Sequence, residues 1–224
     1  VGGGRVTGKV GAFDVGALNI QTDDAPTAGI ESTNFTALRL KRDILRRSTI
    51  GGIFTNRSVS RARDGASQAY GIDGSFSFYE NVQVITYYAR TRTSQANGHD
   101  TSYYSRFAYR GDRYSMESSH LLIEDNFVPE VGFVKRGNIR RTFARAAFSP
   151  RPRSIESVRQ FRFGGRVEHV LTANTGLLET RLASLQFRTE FENSDRFNAD
   201  VAGSYEFLQE PFEIAPGVIL PVGS

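Results

Sequence analysis

The 224 residues carry 28 Lys and Arg against 24 Asp and Glu, a net charge of +4, with 39% hydrophobic residues, 17 Phe, 9 Tyr and neither Cys nor Trp. The lack of cysteine removes any disulfide framework, thiolate metal site or cysteine nucleophile, and no run approaches the roughly 18 apolar residues of a membrane-spanning helix. Nearly all the cations are arginine, with Lys9, Lys41 and Lys135 the lysines, and arginine, weakly hydrated and able to fork onto carboxylates, suits paired positions in a crowded polar space.

Period-two alternation predicts about twelve strands, over residues 4–11, 14–22, 34–42, 48–58, 68–79, 82–94, 101–110, 114–123, 139–148, 156–171, 177–192 and 196–207. In the first, Val6 and Val10 oppose Arg5, Thr7 and Lys9; over 34–42, Leu38 and Leu40 oppose Arg39 and Lys41. Further on, Tyr70, Ile72, Phe76 and Phe78 oppose Asp73, Ser75 and Ser77. The strand over 82–94 fits less well, because Val82 and Val84 share a side with Arg90 and Arg92. Alternation is clearest over 156–171, where Phe161, Phe163, Val167 and Leu171 oppose Gln160, Arg162, Arg166 and Glu168. Over 177–192, Glu179 and Arg181 fall with Phe187 and Phe191, which bulges or shifted boundaries would explain. The last strand sets Phe197, Ala199, Val201, Tyr205 and Phe207 against Asn198, Asp200, Ser204 and Glu206.

The connections alternate between tight and roomy. Tight ones are expected at 11–13, 43–47, 80–81, 111–113, 149–155 and 193–195, and roomier ones at 23–33, 59–67, 95–100, 124–138 and 172–176, with Gly, Asn, Asp, Pro and Ser supplying the turn chemistry. In an antiparallel meander, alternate connections lie at opposite ends, so this rhythm describes a sheet with one short and one elaborated end, as in outer-membrane barrels. Most segments also reach the roughly 9–11 residues that a tilted membrane-spanning strand needs. The fold class expected is therefore an all-β, antiparallel up-and-down transmembrane β-barrel, partial, of about 12 strands, with 1–224 as one domain and an internal fragment of a longer protein. Its apolar face meets lipid and its charged face a wet lumen. Tyr70, Tyr79, Tyr103, Tyr109, Tyr114, Phe148, Phe191, Phe197 and Phe207 are candidate girdle aromatics. A soluble barrel or sandwich would show the same alternation with the faces reversed.

The segments "GGGRVTGKVGAFDVGALNIQT", "NFTALRLKRDILRRSTIGGIFTNRS", "YGIDGSFSFYENV", "NFVPEVGFVKRGNIRR" and "EPFEIAPGVILPVG" resemble the domain of unknown function 5916 family. That resemblance implies a bacterial outer-membrane barrel, usually preceded by a carbohydrate-binding family 9-like domain that this chain lacks. It implies no catalytic set.

The candidate lumen residues are Arg39, Lys41, Arg57, Arg106, Arg110, Arg141, Arg145, Arg162, Arg166 and Arg188, with Glu168, Glu190, Asp200 and Glu206 as partners. The connection over 124–138 mixes Phe127, Val128, Val131, Phe133 and Val134 with charge, and Phe127, Pro129 and Phe133 form a candidate constriction, a fold against the wall or a short extra strand being the alternatives. His99, His120 and His169 are isolated, with no metal-ligand spacing, and no serine sits in a Gly-x-Ser-x-Gly elbow. No metal, cofactor or enzymatic activity is expected, and Arg110–Asp112, "RGD", reads as a tight turn. The arginines are dispersed among acids rather than gathered into a stripe, which argues against nucleic acid. The expected setting is the bacterial outer membrane, with membrane lipid as the environment, transport of or association with a small solute or glycan as the role, and a soluble carbohydrate-binding protein as the competing reading.

Overall fold

A computed structural model describes residues 1–61, 64–93, 98–208 and 211–223. Twelve strands, β1 (Gly2–Val10), β2 (Phe13–Gln21), β3 (Asn34–Ile44), β4 (Ser48–Arg57), β5 (Ser67–Phe78), β6 (Val82–Thr93), β7 (Thr101–Arg110), β8 (Tyr114–Ile123), β9 (Ile139–Phe148), β10 (Val158–Thr172), β11 (Leu178–Phe191) and β12 (Arg196–Glu206), form a meander sheet in chain order. A separate hairpin, β13 (Phe212–Ala215) and β14 (Val218–Leu220), was not anticipated from the alternation. The only helical element among the described residues is a 3-10 turn at Pro26–Ala28. The sheet is not closed, since the order runs linearly and β1 and β12 each have a neighbour on one side.

Contacts group the chain into two units, Val1–Ser105 with Leu121–Ile139, and Arg106–His120 with Arg140–Ser224. In the first, register carries a row straight across from Val6 through Ala17, Leu38 and Phe54 to Tyr70, and the next from Gly8 through Val15, Leu40, Gly52 and Ile72 to Tyr88. Paired residues share a face, so these rows form one apolar face. The intervening rows, such as Lys9, Asp14, Lys41, Gly51 and Asp73, form the charged one. In the second unit, Phe163, Phe187 and Ala199 are in line, followed by Gly165, Leu185 and Val201, while Arg162, Arg188 and Asn198 occupy the opposite face.

The two ill-fitting strands have separate causes. Pairing of β5 with β6 is unbroken, so no bulge relocates Arg90 and Arg92. They lie on the apolar face at its edge, where the row Asn19, Thr36, Asn56, Gln68 and Arg92 is polar throughout. In β11, a register shift between Val170 and Leu171 does displace Glu179, whereas Arg181 remains on the apolar face in a comparable edge row with His169 and Tyr205. The apolar face thus ends in hydrogen-bonding side chains toward the long connections. Asn19, for example, donates to Asn34 and Thr36 at 2.9 Å.

At the short-connection end, the links after β1, β3, β5 and β11 carry left-handed backbone at Gly11, Leu45, Tyr79 and Ser194. Gly11, at φ 61°, leads the two-residue link between Val10 and Phe13, the place where a tight hairpin requires positive φ. The link between β9 and β10, residues 149–157, is longer than expected. It contains Pro150 and Pro152 and is tied to the sheet end by Ser149 N–H donating to Arg113 O at 2.7 Å and Phe161 N–H donating to Pro150 O at 3.0 Å.

Burial is the reverse of a globular chain. Among the described residues, the buried hydrophobic ones are Ala108, Val158 and Val170, whereas ten polar or charged ones are buried, mostly small, such as Ser48, Thr55, Ser67, Thr91 and Ser102. Large apolar side chains of the apolar face stay open, among them Ile72 at 67% and Leu185 and Val201 at 65%.

Candidate functional site on the charged face

In the second unit, the charged face is organised as carboxylates each held between two guanidinium groups. Glu117 on β8 accepts from Arg106 Nε at 3.0 Å and Arg145 Nη2 at 2.8 Å. Glu168 on β10 accepts from Arg141 Nε at 2.7 Å and Arg166 Nη2 at 2.5 Å. Glu190 on β11 lies 3.4 Å from Arg159 and 3.7 Å from Arg196. Except for Arg166, which shares β10 with Glu168, the arginines come from neighbouring strands, so each cluster staples the sheet laterally. Glu117 and Glu168 side chains are only 15% and 14% exposed, and a carboxylate so enclosed is stable there only because two cations meet it. Phe143 supplies a ring beneath Arg166 at 5.3 Å and Arg141 at 5.9 Å.

Two predicted residues stand apart. Arg162 and Arg188 are directly opposed in register. Arg162 donates to Ser149 Oγ at 3.3 Å and Arg188 to Asn198 Oδ1 at 2.7 Å, both neutral acceptors. Arg162 lines a polar hollow of about 560 Å³ together with Arg110, Arg145, Arg166, Gln186 and Asp200, with Gly164 among its lining. Asp200 and Glu206, expected as partners, join no ion pair among the described residues.

In the first unit, Arg39 on β3 reaches diagonally across β4 to Asp73 on β5 in a forked pair, its Nη2 at 2.9 Å from Oδ2. It passes over Gly51, where a Cβ would sit 2.8 Å from that nitrogen, so the absent side chain is the bridge's clearance. Lys41 stands opposite Asp14. Arg57 pairs with Glu130 at 3.3 Å, with side chains 16% and 5% exposed.

That last contact fixes the connection over 124–138, in which no strand forms. Glu130 also accepts from Ser60 Oγ and from the Arg61 N–H, the latter at 2.8 Å. Further along, Val128 N–H donates to Thr91 Oγ1 at 3.2 Å, and Thr91 Oγ1 reaches Asn126 O at 3.3 Å. Thr55, Arg57 and Thr91 face the same way as Arg39. Residues 126–130 therefore lie on the charged face, near its long-connection end. Phe127 and Pro129 are half-buried there, while Phe133 is 87% exposed.

The apolar face of the second unit carries a line of rings close to the short-connection end. Tyr114 and Phe148 are 5.1 Å apart, Phe148 and Phe163 6.4 Å, Phe163 and Phe187 5.1 Å, and Phe187 and Phe197 6.3 Å. Arg113 lies over Tyr114 and Phe148 at 5.7 and 5.3 Å, as Arg42 lies over Phe13 at 5.0 Å in the first unit. Of the girdle aromatics expected, Tyr114, Phe148 and Phe197 belong to this line; Phe161, Phe163 and Phe187 extend it.

Sequence reasoning missed Glu117, the hub of a cluster, although its alternation with Met116 in "YSMESSHLLI" places it with the polar set. It also missed Asp73 and Glu130 as partners, because contacts between β3 and β5, or between a loop and β4, have no fixed spacing along the chain. Among the described residues no group of three or more His, Asp or Glu could hold a metal ion. Comparison with protein-family models, curated proteins and solved structures finds no match to this chain.

Proposed function

We propose that the chain is the strand-forming part of a bacterial outer-membrane β-barrel whose charged face lines an aqueous passage for a small polar solute or glycan. The observation that carries this reading is the inverted burial: small polar residues are enclosed, while Ile72 on the apolar face of the first unit and Leu185 and Val201 on that of the second are open. A face of that kind is stable against acyl chains and unstable against water. The polar edge rows, the ring line and the overlying arginines match the boundaries of a membrane-facing band, because arginine can cover an apolar ring while keeping its charge in the interface. Strands of 9–15 residues have enough length; an 11-residue strand rises roughly 37 Å and, tilted by about 40°, spans close to the 25 Å apolar band of such barrels.

Closure belongs to this proposal. β1 and β12 each continue both faces, so pairing them directly or through further strands would remove the two open edges. The resemblance of the quoted segments to the domain of unknown function 5916 family supports the same location. In the passage, paired arginines and carboxylates supply a polar wall with a cationic excess, and residues 126–130 narrow it from the long-connection side. The competing soluble carbohydrate-binding reading would use the ring line as a sugar platform, but it leaves the remaining open apolar face without a covering layer. No catalysis is proposed. Reconstitution of the full-length protein in planar bilayers tests the passage: stepwise conductance with anion preference is expected, and its absence would overturn the reading.

A further inference from the structure

On the reading of the charged face as water-filled, we propose that the hollow beside Gly164 is a binding site for a small solute bearing a tetrahedral oxyanion, such as a phosphate or sulfate ester. Six arginines of this face, Arg106, Arg141, Arg145, Arg159, Arg166 and Arg196, are each held on a glutamate. Arg162 and Arg188 are held by neutral groups instead. They face one another across β10 and β11 with only Ser149 and Asn198 as side-chain acceptors. Like charges directly opposed destabilise a sheet, and an arrangement that keeps two of them without a carboxylate is relieved by an anion from outside.

The surroundings specify the ligand further. Arg162, Gly164 and Arg166 alternate along β10 on the charged face, so Gly164 forms a floor without a side chain between two guanidinium groups. Arg145 approaches from β9 and Gln186 from β11. Donors arriving from several strands suit an oxyanion with three outward oxygens better than a planar carboxylate, which a single guanidinium fork can satisfy. The hollow, about 560 Å³, lies in the range of small-molecule sites, and Ser115, Ser184 and Gln186 in its lining can meet hydroxyl groups of the rest of the solute. Two carboxylates, Glu117 and Asp200, also line it. Glu117 is occupied by Arg106 and Arg145; Asp200 opposes the anion and sets its affinity.

Titration calorimetry of the full-length protein at low salt with inorganic phosphate, sulfate and acetate tests this, in detergent micelles if the protein fractionates with membranes and in buffer if it does not. Saturable binding of phosphate and sulfate, and none of acetate, is expected. Arg162→Gln should weaken binding at least about tenfold, since charge-assisted bonds are lost, and Arg188→Gln, which removes the opposed like charge from outside the hollow's lining, should weaken it less. Gly164→Leu should do the same with charge unchanged, because a Cβ there meets Gln186 Cβ at an ordinary 3.8 Å and the strand tolerates it. Asp200→Asn should tighten binding, and Arg159→Gln, away from the hollow, should leave it unaltered. Absence of saturable phosphate binding, equal binding of acetate, equal weakening by Arg159→Gln, or full binding by Gly164→Leu would each overturn the site. Phosphate binding without conductance would overturn the passage and leave the site; conductance without phosphate binding would do the converse.

Discussion

Gly51 shows how much one missing methyl can organise. Its vacancy lets Arg39 cross β4 to Asp73, so Gly51→Ala should push the guanidinium aside and loosen the pair. Both side chains are more than a third exposed, so solvent screens the interaction and the expected loss is about 1 kcal/mol or less. In urea unfolding from lipid vesicles that loss should vanish in an Arg39→Ala background; an undiminished loss there would mean that Gly51 acts on the backbone alone. The Arg57–Glu130 pair is different in kind because both partners are enclosed. Removing the acid leaves a buried cation unpaired, a change worth about 3 kcal/mol or more. Glu130→Gln should therefore release residues 126–130, and limited trypsin digestion should cut after exposed Lys135 faster than in the parent protein. Unchanged cleavage would show that the Thr91 contacts hold the segment unaided.

Individual strands were the most legible feature of the sequence, and the reason is physical. Side-chain direction alternates with a period of two in any strand, so Phe161, Phe163 and Val167 against Arg162, Arg166 and Glu168 declare both the element and its faces. The same logic placed the twelve strands within two residues of their observed ends. It failed where a strand crosses a chemical boundary. Arg92 and Arg181 broke the pattern because the apolar face ends at their rows, and Arg90 closes the last apolar row beside Arg92, which periodicity within one strand cannot reveal. The charged clusters were half legible. Glu168 and Glu190 were recognisable as partners, but whether Glu117 or Asp200 would take an arginine depends on strand register, which a single sequence does not contain. A direct comparison follows for β11: Leu185→Arg, on the apolar face, should cost about 2–4 kcal/mol in a bilayer if that position lies near the midplane. Ser184→Arg, one residue away on the charged face, should be close to neutral in the same unfolding measurement. Equal costs would mean that the two faces do not meet different solvents.

For the molecule as a whole, the physical question is which solvent each face of the sheet meets. A water-soluble protein encloses its large apolar side chains; here Ser, Thr and Glu are enclosed, while Leu38 and Leu40 on the apolar face of the first unit and Phe163, Leu185 and Phe197 on that of the second are open. Polar edge rows and arginine-covered rings both follow if those faces are immersed in hydrocarbon. Absence of tryptophan from the chain makes this testable with single reporters on neighbouring positions. Full-length protein carrying Leu185→Trp or Gln186→Trp, with any tryptophan outside the 224 residues replaced by phenylalanine, would be folded into vesicles, with quenching by brominated lipid compared with quenching by aqueous acrylamide. Brominated lipid should quench the residue-185 reporter and acrylamide the residue-186 reporter. Lipid quenching of neither, or of both alike, would contradict the account.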